Sequence, residues 1–145
     1  MATTIKIKNI PQGYQSLITN GKHSIVGDEP ISSKGTDLGL APTELVLAGI
    51  AMCKVTTIRS VARRNGWEIG DVDAELSQRY RRDADGVLKT RVTSAISIDG
   101  DFTVEQRELL IQEADNCFVT RLVSGEWEFE GSSDLVEVET SALAA

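Results

Sequence analysis

The chain has 145 residues, 41% of them hydrophobic and 26% charged, which is the balance of one globular domain with a single core. Its formal net charge of −7 argues against the basic face that generic nucleic-acid binding requires. Two cysteines and one histidine, with no CxxC or HxxxH spacing, do not make a zinc ligand set, and neither a metal nor any other cofactor is expected.

The chain begins with short strands. Ile5 and Ile7 alternate with lysines, Gln15 to Thr19 and His23 to Val26 are β-prone, and Asn20-Gly21 between them is a hairpin turn pair. "DEPISSKGTDLGLAP" then reads as a loop. Pro42 suits the first position of a helix, and Glu44 lies in the first turn, where the helix dipole favours a carboxylate. The helix is expected to run to about Arg64 and stop at Asn65-Gly66. Its first half is apolar all round, which predicts a helix surrounded by protein. The longest apolar run, Leu45 to Cys53, is far short of the ~20 residues of a membrane span. No signal-peptide core precedes it, so a cytoplasmic protein with no membrane partner is expected.

Two long antiparallel strands follow, from Val72 and from Leu88, joined at Asp85-Gly86. The basic cluster Arg79, Arg81, Arg82 reads as a solvated strand end. Thr103 and Gln106 form a capping box that opens a second helix. This helix, bent near Asn116, is expected to carry Cys117 on or beside its inner face. "GEWEFEG" reads as a strand, and Val136 and Val138 suggest a short last one. The order predicts an α+β fold with antiparallel sheet, a single domain over residues 1–140 and a flexible tail at 141–145. No glycine-rich phosphate motif follows a strand.

The cysteines carry the chemistry. On the long helix Cys53 shares a face with Gly49, Thr56, Thr57 and Ser60. These small side chains predict a close helix–helix contact, and the hydroxyls are candidate donors to a thiolate. Cys117 belongs to the other helix, so helix packing could bring the thiols together. One thiolate would attack a peroxide and the second would condense with the sulfenic acid to a disulfide. The competing reading is two inert core thiols. Lys54 and Arg121 are the cations nearest in sequence; one helical step turns Lys54 about 100° from Cys53, and neither is taken as the thiol's partner.

"HSIVGDEP…GTDLGLAPTELVLAGIAMCKVTTIRSVARRNGW" and "DGDFTVEQRELLIQEADNCFVTRLVSGEWEF" resemble the two motif blocks of the OsmC/Ohr superfamily, the osmotically inducible and organic hydroperoxide resistance proteins. The first block resembles a branch with an H-x-x-x-x-D-E-P segment, here His23, Asp28, Glu29 and Pro30. The resemblance implies an OsmC-like fold, antiparallel sheets wrapped around two long central helices in an intertwined homodimer. It implies a peroxidatic Cys53 and a resolving Cys117, an organic hydroperoxide substrate, and a dithiol reductant, either a lipoyl protein or a thioredoxin-like one. The chain departs from the best-known members in several places. Thr43 stands where they carry a glutamate, with Glu44 one step on and expected to cap the helix. No arginine precedes Arg59, which leaves Lys34 and His23 as the upstream candidates for its role. Phe118 stands for their proline, where it is expected to fill space, and Thr120 for a histidine. His23, Asp28 and Glu29 either line the site or bond local backbone N–H groups.

Overall fold

The computed structural model describes residues 2–135. The expected last strand at Val136 and Val138 and the tail at 141–145 lie outside them. Three short antiparallel strands come first: β1 (Lys6–Asn9), β2 (Ser16–Thr19) and β3 (Ser24–Gly27), in the order β1-β2-β3. At the second turn Asn20 Oδ1 accepts the N–H groups of Lys22 and His23, while Gly21 takes φ 91°.

Asp28, buried at the end of β3, organises the loop that follows. Its carboxylate accepts the N–H groups of Tyr14, Glu29, Thr36 and Leu38 and the Thr36 hydroxyl. The chain then folds so tightly that a Cβ on Gly35 would sit 1.8 Å from the Glu29 carbonyl oxygen. Only glycine fits that approach.

Helix α1 spans Pro42–Asn65. Glu44 Oε2 accepts the Ala41 N–H at 2.8 Å, the only half of a capping box that alanine allows. Gly66, at φ 68°, closes the other end, with Trp67 N–H on Ala62 O. One window of α1 is long and apolar enough to cross a membrane, with mean hydropathy 1.6. Here the helix packs instead on α2 (Val104–Asp115) and on β4 (Val72–Arg82), which pairs with β5 (Leu88–Ile98). The core gathers Ile58, Val61 and Ala62 of α1, Ile98 of β5, and Leu110 and Ala114 of α2. Burying each of the isoleucine, valine and leucine side chains contributes roughly 1.5–3 kcal/mol, and the alanines less.

Three expectations change. The second helix is not merely bent. Cys117 takes extended angles, φ −63° and ψ 157°, and caps a separate helix α3 (Phe118–Ser124). Residues 125–131 alternate like a strand yet form no ladder among the described residues. Trp127 and Phe129 stack on one side, 5.8 Å apart, with Phe129 83% exposed. Lastly, the first half of α1 is not enclosed within its own chain, and Met52 is 68% exposed.

Candidate active site

Cys53 sits mid-way along α1 between exposed Met52 and buried Lys54. The α1–α3 contact brings Val119 against it, and the Val119 N–H donates to Cys53 Sγ at 3.4 Å. Cys117 is 2% exposed and lies at the start of the same helix α3. Both cysteines are free thiols. Cys53 is one of the neighbours that lower the Cys117 pKa. Helix packing thus sets Cys53 against the first turn of α3, which Cys117 caps, rather than against the second helix expected from the sequence.

The electrostatic support collects at Cys117. Burial pushes its pKa up, but this is outweighed and the net direction is down. The Thr120 hydroxyl, 3.1 Å from Cys117 Sγ, is the largest lowering influence. The Thr120 backbone N–H adds to it without forming a capping bond, and Cys53 and the Lys54 charge add more.

Lys54 is the cation that sequence spacing set aside. It is buried at 5% exposure, with Nζ 2.7 Å from Asp115 Oδ1 and 3.5 Å from the Ala114 carbonyl. Its stripe on α1, with Ile50 and Ile58 four residues away on either side, faces α2. Its partner lies 61 residues away, so no local motif announces it.

The remaining candidates have other duties. Thr56 and Thr57 do not donate to a thiol. Thr56 Oγ1 bonds the carbonyls of Met52 and Cys53, and Thr57 Oγ1 that of Cys53 at 2.8 Å. This back-bonding is the usual habit of threonine inside a helix and was open to sequence reasoning. Glu44 is held by the Ala41 N–H, as expected. The Thr43 carbonyl accepts Gln78 Nε2. Lys34 ends a 3-10 turn with φ 66°, and His23 belongs to the β2–β3 turn; neither hydrogen-bonds or ion-pairs with a cysteine among the described residues. Asp28 bonds local N–H groups, the second of the two roles expected for it. Its pKa falls to about 2, chiefly through the Thr36 hydroxyl. Phe118 does not fill space. It is exposed, and the Arg121 guanidinium lies 5.8 Å from its ring centre.

A groove of about 840 Å³ is lined by Lys54 and Thr120, the neighbours of the two cysteines, but by neither cysteine itself. Val46 and Ile50 of α1, Val92 of β5 and Val123 of α3 give it apolar surface, and Gln78, Thr90, Ser94 and Asp115 are among its polar residues. Thr43 also lines it. A smaller cleft of about 280 Å³ lies against β1–β3 and touches neither cysteine. Among the described residues no three His, Cys, Asp or Glu side chains cluster as metal ligands would.

This arrangement is similar to known structures. An OsmC-like protein from Mycoplasma pneumoniae superimposes with TM-score 0.74 at 16% identity, over 86% of this chain and 89% of that one. The organic hydroperoxide resistance protein OhrB of Bacillus subtilis gives 0.62 at 21% identity, over 86% and 92%. An organic hydroperoxide resistance protein OsmC from Legionella pneumophila gives 0.64 at 22%, over 86% and 90%. At these identities the likeness is one of fold. No curated protein is a significant sequence match. The family model for the OsmC-like protein matches residues 35–130, which hold both cysteines, Lys54, Asp115 and Thr120. With that match over most of its length, the chain belongs to the OsmC-like protein family.

Proposed function

We propose that this protein is a cysteine-based peroxidase of organic hydroperoxides that serves oxidative-stress defence in the cytoplasm. The observation that carries the reading is the packing of α1 on α3, which sets Cys53 Sγ against the Val119 N–H, two residues from the free thiol of Cys117, near a groove of mixed apolar and polar lining. Cys53, the more exposed sulfur, passes its proton to Cys117 and attacks the outer peroxide oxygen. An S–O bond forms, the O–O bond breaks, and the alkoxide takes the proton back from Cys117 and leaves as an alcohol. The Cys117 thiolate, favoured by Thr120, then attacks the sulfur of the Cys53 sulfenic acid and displaces hydroxide, which takes a proton from solvent and leaves as water. A dithiol reductant, of lipoyl or thioredoxin-like chemistry, reopens the disulfide and is itself oxidised. Val46, Ile50, Val92 and Val123 give the groove the apolar surface on which an alkyl hydroperoxide gains more than hydrogen peroxide.

The working form in this reading is a homodimer. The chain exposes 12098 Å², against roughly 7,300 Å² expected for a folded monomer of its mass. A fully extended stretch covering the residues outside the description would add at most ~1,700 Å². Ile7, Leu17 and Ile25 on β1–β3 and Met52 on α1 are left uncovered.

A second reading has its own support. Glu44 is spent on a cap and Lys54 on Asp115, so an OsmC-like protein that binds small molecules in the groove without efficient turnover is the alternative. One experiment separates the two. Reduced protein is mixed with one equivalent of an alkyl hydroperoxide and mapped by mass spectrometry. A rapid Cys53–Cys117 disulfide that Cys53→Ser abolishes supports the peroxidase. Thiols that stay reduced for many minutes in excess peroxide overturn it.

A further inference from the structure

The outward face of the β4–β5 ribbon is charged in a pattern that the site chemistry leaves unused. Side chains alternate between faces along a strand, and directly paired residues share one. Asp73, Glu75, Ser77, Arg79 and Arg81 of β4 are all exposed, on the face away from α1. Arg79 pairs with Arg91 and Arg81 with Lys89 across the ladder, so four cations share this face at the ribbon's tip. Like charges directly opposite one another destabilise a sheet. The nearest relief among the described residues is one long contact, Lys89 to Asp83 at 3.9 Å. The base of the same face is acidic at Asp73 and Glu75.

The two ends are mirror-related about Ser77. Asp73 and Arg81 stand equally far from it in register, as do Glu75 and Arg79. A two-fold axis lying across the strands at Ser77 would set β4 against β4 of a second copy with its direction reversed. Asp73 then meets Arg81 of the other copy, and Glu75 meets Arg79, and each contact occurs twice. An axis along the strands would instead lay base on base and tip on tip, so like charges would meet. The charges therefore select one geometry. We propose that this face is a self-complementary docking surface for a second copy of this chain, base to tip. It is separate from the apolar surfaces attributed above to the homodimer, and it would join one dimer to another.

The contact is small. A ribbon of 11-residue strands is about 36 Å long and roughly 10 Å wide, so each copy presents only ~360 Å². That places the association among weak and transient ones, sensitive to salt. The test is sedimentation of the full-length protein at about 0.2 mM, in ~0.02 M and ~0.5 M salt. The expected result is species of at least twice the mass at low salt that are lost at high salt. The double variants Asp73→Lys/Glu75→Lys and Arg79→Glu/Arg81→Glu should each stay at the smaller mass in both buffers. An equimolar mixture of the two should regain the larger one. Equal mass for the wild type in both salts, or a mixture that fails to associate, would overturn the proposal. If the wild type binds an acidic polymer or a nucleic acid at low salt but never itself, that also counts against it.

Discussion

Lys54 Nζ lies 2.7 Å from Asp115 Oδ1, yet the partners stand in different solvents, with the lysine side chain 7% exposed and the aspartate 61%. The pair is therefore asymmetric. Taking away Asp115 strands a buried ammonium on one carbonyl contact, while taking away Lys54 leaves a carboxylate that water can solvate. Asp115→Asn is expected to cost about 1–3 kcal/mol and Lys54→Met less than about 1 kcal/mol. Urea unfolding of the two variants checks the order. The chemical effect should run the other way. Lys54→Met removes a charge that lowers the Cys117 pKa, so its alkylation by iodoacetamide should shift to higher pH.

Thr120 offers a finer probe of the same sulfur. Thr120→Val keeps the shape and deletes the hydroxyl 3.1 Å from Cys117. The alkylation profile of Cys117 should again move to higher pH, and disulfide closure after a peroxide pulse should slow. Thr120→Ser should restore both. Stability should change by no more than about 1 kcal/mol, because the site is only part-buried. A profile unmoved in Thr120→Val would remove the hydroxyl from the account of Cys117.

Asp28 sets an acid limit on the fold. Its folded pKa is about 2, against an ordinary value of 3.8. The folded state thus binds the proton less readily than the unfolded chain. The stabilisation is fully present above pH ~4 and is lost as pH falls from there through about 2. Asp28→Asn cannot accept the same set of N–H groups. Its melting temperature should be lower at neutral pH, by several degrees, and should fall less steeply between pH 4 and 2 than that of the wild type. Parallel thermal melts across that range read both effects.

What was legible in the sequence follows the range of each interaction. The limits of α1, the Thr103 capping box and the Asp85-Gly86 turn are written within a few residues, and each stands where its signal put it. The break at Cys117 carries no proline or glycine. There Cys117 takes the extended angles of a helix N-cap, with its sulfur 3.1 Å from the Thr120 hydroxyl. Lys54 reads as one charge in an apolar helix until Asp115 arrives from α2. The Trp127 and Phe129 alternation is a strand pattern whose ladder partner is not found in the described part of this chain. Both cysteines were legible as candidates, but not the hydroxyl and the lysine that lower the Cys117 pKa.

The apolar surface left open on α1 leads to the last expectation. Met52 lies next to Cys53 and is 68% exposed, on a helix whose buried stripe is occupied by Ile50, Lys54 and Ile58. A second subunit that covers Met52 would also close the outer approach to Cys53. Met52→Asp puts a charge into that contact, where an unpaired carboxylate is costly to bury. The variant should sediment as a monomer or self-associate irregularly in high salt, whereas the wild type should remain a dimer there, since burial of apolar surface does not depend on screening. Its thiols should also be alkylated faster. A wild type that is monomeric in high salt would place the uncovered surface outside any stable homodimer, and a Met52→Asp variant with unchanged mass would move the interface away from this face of α1.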